Sequence, residues 1–355
     1  MGKIILKEVV LSALCVEVFT CKVPQHEAKI IIDNLIEADL TGVSSHGVTK
    51  VFDYLVRQEK NLISASTEIA VERDQITTFT WNANNGWGAV AGKKAMEECV
   101  ERAKIYGVSF GAVNHSNHFG IASYYTKMAA KKDMIGFAFT NSSSLMVPYG
   151  GKTPSLGTNP ICISVPTGSD VIVTLDMSTA ITARGRINLA QKLNQKIPEN
   201  WAITVDGNKT TDPTEALQGY ILPMGAKGSG LAIMVDILAG VLTDANFGSG
   251  VPRQYEEDIP QNLGHLFGAI DISKFIDLED FYKNMKERID QIVNSEPIEG
   301  FNRVMFPGQI EHEKKCEQLE NGIELDKEIY LELISLAKKY NVNVERYEQI
   351  LNEVY

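Results

Sequence analysis

Helical periodicity at both ends of the chain, around a middle that lacks it, limits the fold more than any other feature. From about Val9 to Leu55 apolar residues recur at helical spacing in three successive segments. Pro24 suits the first turn of the second helix, Ile30, Ile31, Asn34, Leu35 and Ala38 mark its faces, and Gly42 ends it. Ser44 or Ser45 is expected to cap the third, whose Val48, Val51, Phe52 and Leu55 follow the i, i+3, i+4, i+7 pattern. From about Ile69 the texture changes to short strands, glycine-rich turns and single helices. Strands are expected over 76–81, 109–113, 134–140, 159–165, 171–176 and 263–270. Helices are expected over 90–106, 121–131 and 229–243, the last read as buried. The Gly/Pro/Ser-rich stretch 142–159 reads as an ordered functional loop. After about Glu313 charged amphipathic helices return, over 326–340 and 342–352. The fold class is mixed α/β. A helical region over 1–70 is expected to pack with the helices of 312–355, and a mixed region over 71–311 to bind the ligands.

The chain has 355 residues, 44% of them hydrophobic and 22% charged, enough for a sizeable globular core. A net charge of -11 argues against a broad nucleic-acid or anionic-membrane surface, so an anionic ligand would need local cations. Five cysteines, an odd number without C-x-x-C spacing, read as reduced thiols of a cytoplasmic chain. Lys7 and Glu17 interrupt the apolar N-terminus, which therefore reads as an amphipathic helix and not a signal peptide. No apolar run reaches the roughly 18–20 residues of a membrane span. The longest candidate, 228–241, is broken by Asp236.

The G-x-G-x-x-G turn of the usual dinucleotide fold is missing. Gly225-Ala226-Lys227-Gly228-Ser229-Gly230 is spaced differently, yet it opens a helix, where free N–H groups and a lysine make an anion site. A glycine-lined packing point fits that spacing equally well. In Ser44-Ser45-His46-Gly47-Val48-Thr49-Lys50, His46 and Lys50 would share the polar face of the third helix. An imidazole beside a cation suits a keto-acid reductase: the cation holds the carboxylate and the imidazolium protonates the carbonyl oxygen. A surface His/Lys pair has the same spacing. In Asn114-His115-Ser116-Asn117-His118-Phe119-Gly120, His115 and His118 could begin a metal site of a hydrolase or lyase, but nothing nearby completes the ligand set. A polar active-site lining is the other reading, beside a structural histidine pair. Asp176, at a strand end, could orient a histidine or cap a turn.

Taken together these motifs resemble the type-2 malate/L-lactate dehydrogenase family, which includes sulfolactate and ureidoglycolate enzymes. The likeness runs through Ser45-His46-Gly47, Ser116-Asn117-His118-Phe119-Gly120, Val147-Pro148-Tyr149-Gly150-Gly151 and Leu156-Gly157-Thr158-Asn159-Pro160. It continues through Leu175-Asp176-Met177-Ser178, Ala183-Arg184-Gly185, Thr211-Asp212-Pro213, Pro223-Met224-Gly225 and Phe306-Pro307-Gly308 with Glu311. The resemblance implies a non-Rossmann, sulfolactate dehydrogenase-like fold, a mixed sheet flanked by N- and C-terminal helices, in a homodimer. It also implies NAD, with NADP as the alternative, and interconversion of a small 2-hydroxy acid and its 2-keto acid. Malate is ranked first, before lactate, sulfolactate and ureidoglycolate.

By the same resemblance, His46 would be the general acid/base, His118 would share its pocket, and Asp176 would orient a histidine. The chain's own cations suggest the anchor: Lys50, with Arg184 or Arg186 and beside Ser45, is expected to hold the substrate. Asn159, Asp176, Met177, Ser178, Ala226, Lys227, Gly308 and Gln309 would contact the cofactor, with Asn159 near the nicotinamide; no metal is implied. The chain departs from the family in having Lys50 where Arg is usual and Gln309 where Glu is common. A lysine offers a point charge where arginine grips a carboxylate with two bonds.

Overall fold

The computed structural model describes residues 2–253 and 258–353. Its strands are β1 (Lys3–Leu6), β2 (Ala70–Asp74), β3 (Thr78–Asn82), β4 (Val108–Ser116), β5 (Met134–Thr140), β6 (Ile161–Pro166), β7 (Ile172–Met177), β8 (Ala202–Ile203), β9 (Tyr220–Ile221), β10 (Leu263–Asp271) and β11 (Ile323–Asp326). The helices of the first half are α1 (Glu8–Thr20), α2 (Gln25–Leu40), α3 (Lys50–Glu59), α4 (Gly88–Tyr106) and α5 (Ser123–Ala130). Then come α6 (Arg184–Lys192), α7 (Pro213–Gln218), α8 (Gly225–Asp236), α9 (Leu278–Val293), α10 (Gln309–Asn321), α11 (Lys327–Lys339) and α12 (Glu345–Glu353).

Seven strands form one mixed sheet in the order β2-β3-β4-β10-β5-β6-β7. Its β3–β4 pair is parallel and the other pairs are antiparallel. Burial alternates along β5 with period 2, while β10, in the middle of the sheet, is buried at nearly every residue. A strand covered on both faces has no solvent side on which to place polar residues. The helix α4 presents Ala91, Ala95, Met96, Cys99 and Ala103 to this core, small side chains that let it lie close to the sheet. The sheet carries no closely spaced glycine turn at a first strand, and its parallel content is one pair, so the architecture is mixed α/β and not a doubly wound nucleotide fold.

A second core joins the two ends of the chain. Leu11, Leu14, Val18 and Phe19 of α1, Ile31, Ile32 and Leu35 of α2, and Val51 and Leu55 of α3 pack with Tyr330, Leu333 and Ile334 of α11. The strand β1 pairs antiparallel with β11, Ile4 opposite Leu325. Periodicity had pointed to helix at both ends but not to this short ribbon. A third, smaller core gathers Met146, Leu156, Ile187, Ala202, Ile221 and Ala232.

Two expectations need correction. The segment 229–243, read as buried, is α8 running into a π-helical turn over Ile237–Val241. One side faces the interior through Ala232, Val235 and Ala239, whereas Leu231, Met234, Ile237, Val241 and Leu242 are exposed. A segment apolar all round reads as buried from sequence, because periodicity cannot tell an interior face from an uncovered one. Ser44 and Ser45 do not cap α3 either. They lie in a separate 3-10 turn, Ser44–His46, and α3 begins at Lys50 without a side-chain cap.

Candidate active site

His46 ends that 3-10 turn, and Gly47, extended at φ -86 and ψ -152, separates it from α3. His46 and Lys50 are therefore neighbours across a bend and not members of one helix face. His118 lies on the segment between β4 and α5. The two imidazoles stack at 5.4 Å between centroids, 28° apart in plane. Ser45 Oγ is 3.0 Å from His46 Nδ1, and Tyr54 Oη is 2.6 Å from His118 Nδ1. The Gly120 N–H also points at His118 Nδ1, at 3.3 Å. A backbone N–H can only donate, so this nitrogen is the acceptor and neutral His118 carries its proton on Nε2. Burial, reinforced by the charge of Lys50, pushes the His46 pKa down to about 4. Burial also holds His118 well below the ordinary imidazole value, with His46, Lys50 and His265 adding to the effect. Both rings are thereby held in the neutral form. Lys50, half-buried, pairs with Asp53 at 3.3 Å.

The far end of β7 approaches the histidines through one hydrogen bond. Ser123 N–H, at the start of α5, donates to Asp176 Oδ2 at 2.8 Å. Crowding by protein atoms raises the Asp176 pKa, against the pull of the Ser123 bonds, although the residue keeps an open face to solvent. Two residues on, Ser178 and Thr179 hydroxyls donate to the Thr158 carbonyl at 3.2 and 2.9 Å. Met224 N–H then donates to Thr179 O at 3.1 Å, which sets the start of α8 beside the end of β7. Gly225, at φ +64, turns the chain into α8, and a Cβ there or at Gly230 would meet only open space. Ala226 and Lys227 in this first turn are exposed. Thr174 N–H donates to Pro307 O at 2.9 Å, and Gly308, at φ +90, leads into α10 against β7. A Cβ on Gly308 would crowd Thr174.

A family model described as malate/L-lactate dehydrogenase matches residues 7–334. The chain belongs to this family. The malate/(S)-sulfolactate dehydrogenase of Methanothermus fervidus is 41% identical over 323 residues, covering 91% of this chain and 94% of that protein. The L-sulfolactate dehydrogenase of Methanocaldococcus jannaschii is 39% identical over 326 residues, 92% and 94% of the two chains. The solved structure of sulfolactate dehydrogenase from Methanocaldococcus jannaschii superposes with a TM-score of 0.91 at 38% identity, covering 97% of this chain and 99% of that one. Other relatives are named as a NAD(+) ureidoglycolate dehydrogenase and a NADP(+) (2R)-3-sulfolactate dehydrogenase. Members of the malate/L-lactate dehydrogenase family are NAD(P)-dependent dehydrogenases of hydroxy acids.

The residues present suit such a cofactor. An anionic dinucleotide needs unpaired N–H groups and a cation, and the exposed first turn of α8 offers both with Lys227. Gln309 Oε1 is buried without a hydrogen-bond partner, while its Nε2 bonds Glu313 at 3.1 Å. An unsatisfied buried carbonyl oxygen is free to accept from a ligand.

Other sites expected in this dehydrogenase fall differently. Asp176 does not orient a histidine: its carboxylate bonds Ser123, and Ser45 and Tyr54 orient the rings. Asn159 is 0% exposed, accepting from Ser142 N–H and donating to Ala232 O, so its amide is committed inside the protein. Arg184 begins α6 and donates to Leu217 O at 3.0 Å. His115 is exposed, at φ +47, with its ring on Asn114 and not on His118's partners. Among the described residues no group of three or more His, Cys, Asp and Glu side chains could hold a metal ion. Sequence reasoning missed Tyr54. It sits between Val51 and Leu55 on the apolar stripe of α3, and a hydroxyl on a buried stripe was the one available signal.

Proposed function

We propose that this dehydrogenase interconverts a small 2-hydroxy acid and its 2-keto acid, with (S)-malate and oxaloacetate as the leading pair. The observation that carries the reading is the stacked pair of neutral imidazoles beside the Lys50 ammonium. In oxidation, neutral His46 accepts the hydroxyl proton while hydrogen leaves C2 as hydride. His118 directs its Nε2–H toward the same oxygen. Lys50 holds the carboxylate, partly neutralised by Asp53. Bound NAD or NADP supplies the hydride acceptor at its nicotinamide ring. Asp176 and the first turn of α8 bind the dinucleotide, with Met177, Ser178, Gly308 and Gln309 beside them. In reduction, the imidazolium of His46 returns the proton.

Sulfolactate stands second, because several similar proteins carry that name. Malate and sulfolactate share a second anionic group on C3, which lactate lacks. Initial rates of NADH and NADPH oxidation with oxaloacetate, sulfopyruvate and pyruvate test the assignment. Oxaloacetate is expected to be fastest; activity with pyruvate alone would remove the malate reading, and activity with none would remove the dehydrogenase role of the site.

The working unit is a homodimer in the cytoplasm, with the uncovered face of α8 as its contact. Met234 is 53% and Leu242 60% exposed on one continuous apolar strip. Monomers rarely leave such a strip open to water. Sedimentation of Met234→Glu beside the unaltered protein tests this: a variant that sediments as the parent does would move the contact elsewhere.

A further inference from the structure

The two histidines come from segments about seventy residues apart, yet two groups that act on one oxygen need their spacing fixed. One helix reaches both. Asp39, in the last turn of α2, is 3% exposed and accepts the Val48 N–H at 2.8 Å through Oδ2, just after the His46 turn. Five residues earlier, Asn34 is 0% exposed and holds the His118 segment. It donates through Nδ2 to the carbonyls of Phe119 at 3.2 Å and Ile121 at 3.4 Å, and accepts the Ile121 N–H at 3.1 Å. Each contact is matched by a glycine. A Cβ on Gly47 would overlap the Asp39 carboxylate, and a Cβ on Gly120 would overlap the Asn34 amide. Both side chains therefore lie flush against the backbone beside a histidine.

Asp39 is also unusual as packing. Burial raises its pKa to about 7, the Val48 bond opposing, and among the groups it faces is the buried Cys15 thiol of α1. A carboxyl group there without a task would be a liability in an apolar core. Its own end of α2 is anchored, since Gln318 of α10 donates to the Asp39 and Leu40 carbonyls at 2.7 and 3.0 Å.

We propose that α2 acts as a ruler for the histidine pair, with Asp39 and Asn34 as positioning residues that fix the His46 turn and the His118 segment on one rigid element. The inference rests on the hydride-transfer reading of the pair. Loss of alignment by about 1 Å can cost on the order of 10²-fold in rate. Asp39→Ala and Gly47→Ala should each lower kcat by about that factor, while NADH affinity and melting temperature change little. Because the two changes disturb one contact, Gly47→Ala made in the Asp39→Ala background should cost less than about threefold more. Asp39→Asn keeps a carbonyl oxygen for the Val48 N–H and the same shape, so it should fold and retain kcat within about tenfold. Kinetics, NADH fluorescence titration and thermal melts on these four variants decide it. Full kcat in both single variants, an additive double variant, or Asp39→Asn as poor as Asp39→Ala would each overturn the proposal. So would loss of NADH affinity in step with kcat. If Asp39→Ala does not fold, Gly47→Ala and Asp39→Asn still give opposite expectations. A normal rate in His46→Ala would instead sink the hydride-transfer reading itself; a His46-dependent rate that ignores Asp39 and Gly47 sinks this one alone.

Discussion

The two halves of the site are built on opposite plans. Around His46 and His118 the Nδ1 atoms have partners inside the protein, and partial burial keeps the rings neutral. At the meeting of β7, α8 and α10 the protein is open: glycines with empty space beside them, an exposed lysine and an unsatisfied glutamine oxygen. Groups that move a proton need fixed geometry before the substrate arrives. Groups that hold a large anionic ligand are completed by it, and are left exposed until then. On the proposed reading, the fixed half does the chemistry and the open half does the binding.

That contrast breaks if changes in one half act like changes in the other. His46→Ala should lower kcat by about 10²–10⁴-fold, the usual worth of a general acid/base, with NADH affinity retained. A variant that loses NADH instead would erase the distinction. Lys50→Ala removes a charge-assisted bond, worth about 1.5–3 kcal/mol, and should raise the KM of the acid by about tenfold or more. Its kcat with saturating acid should change much less in the same initial-rate series. Tyr54→Phe deletes the hydroxyl on His118 and should reduce kcat by roughly tenfold, measured as turnover at saturation. In the open half, Lys227→Ala should raise the KM for NADH by only about five-fold at low salt, and by less as ionic strength rises. A drop in kcat there would contradict the division.

The smallest effect sharpens the comparison by pH. Asp39 titrates near pH 7 when folded and from the ordinary 3.8 when unfolded, so its folded pKa is raised. Its contribution to stability is full below the unfolded value and fades as pH rises through about 7. Asp39→Asn lacks that loss. Its melting temperature relative to the parent should therefore climb by several degrees between pH 4 and pH 8. A constant difference across that range would mean that Asp39 does not titrate as a buried acid.

The sequence made the broad plan legible because periodicity survives folding. The β5 strand matches its expected bounds, 134–140, since an alternating apolar run has one stable use at a sheet. The helices α4, α5 and α11 lie within a few residues of their expected ranges for the same reason. The ribbon of β1 and β11 escaped because four residues carry too little pattern, and its partner lies over three hundred positions away. Motif order along the chain points to His46 and His118, and spacing from His46 points to Lys50; the structure brings the two rings together. Tyr54, Asp39 and the true partner of Asp176 could not be found in this way, since each acts through a contact between distant segments. The bonds of the Asn159 amide to Ser142 and Ala232 have the same origin, contacts between segments that no local pattern displays.

The pairing of β1 with β11, and the grip of Gln318 on the end of α2, has a consequence for biosynthesis. During translation the His46 turn emerges well before Gln318 and β11, which brace it. Until those segments emerge, the helical segment presents Leu11, Phe19, Ile31 and Leu35 without their final cover. If the imidazole pair carries the chemistry proposed above, a nascent chain stalled before β11 would be silent even though it already holds both rings.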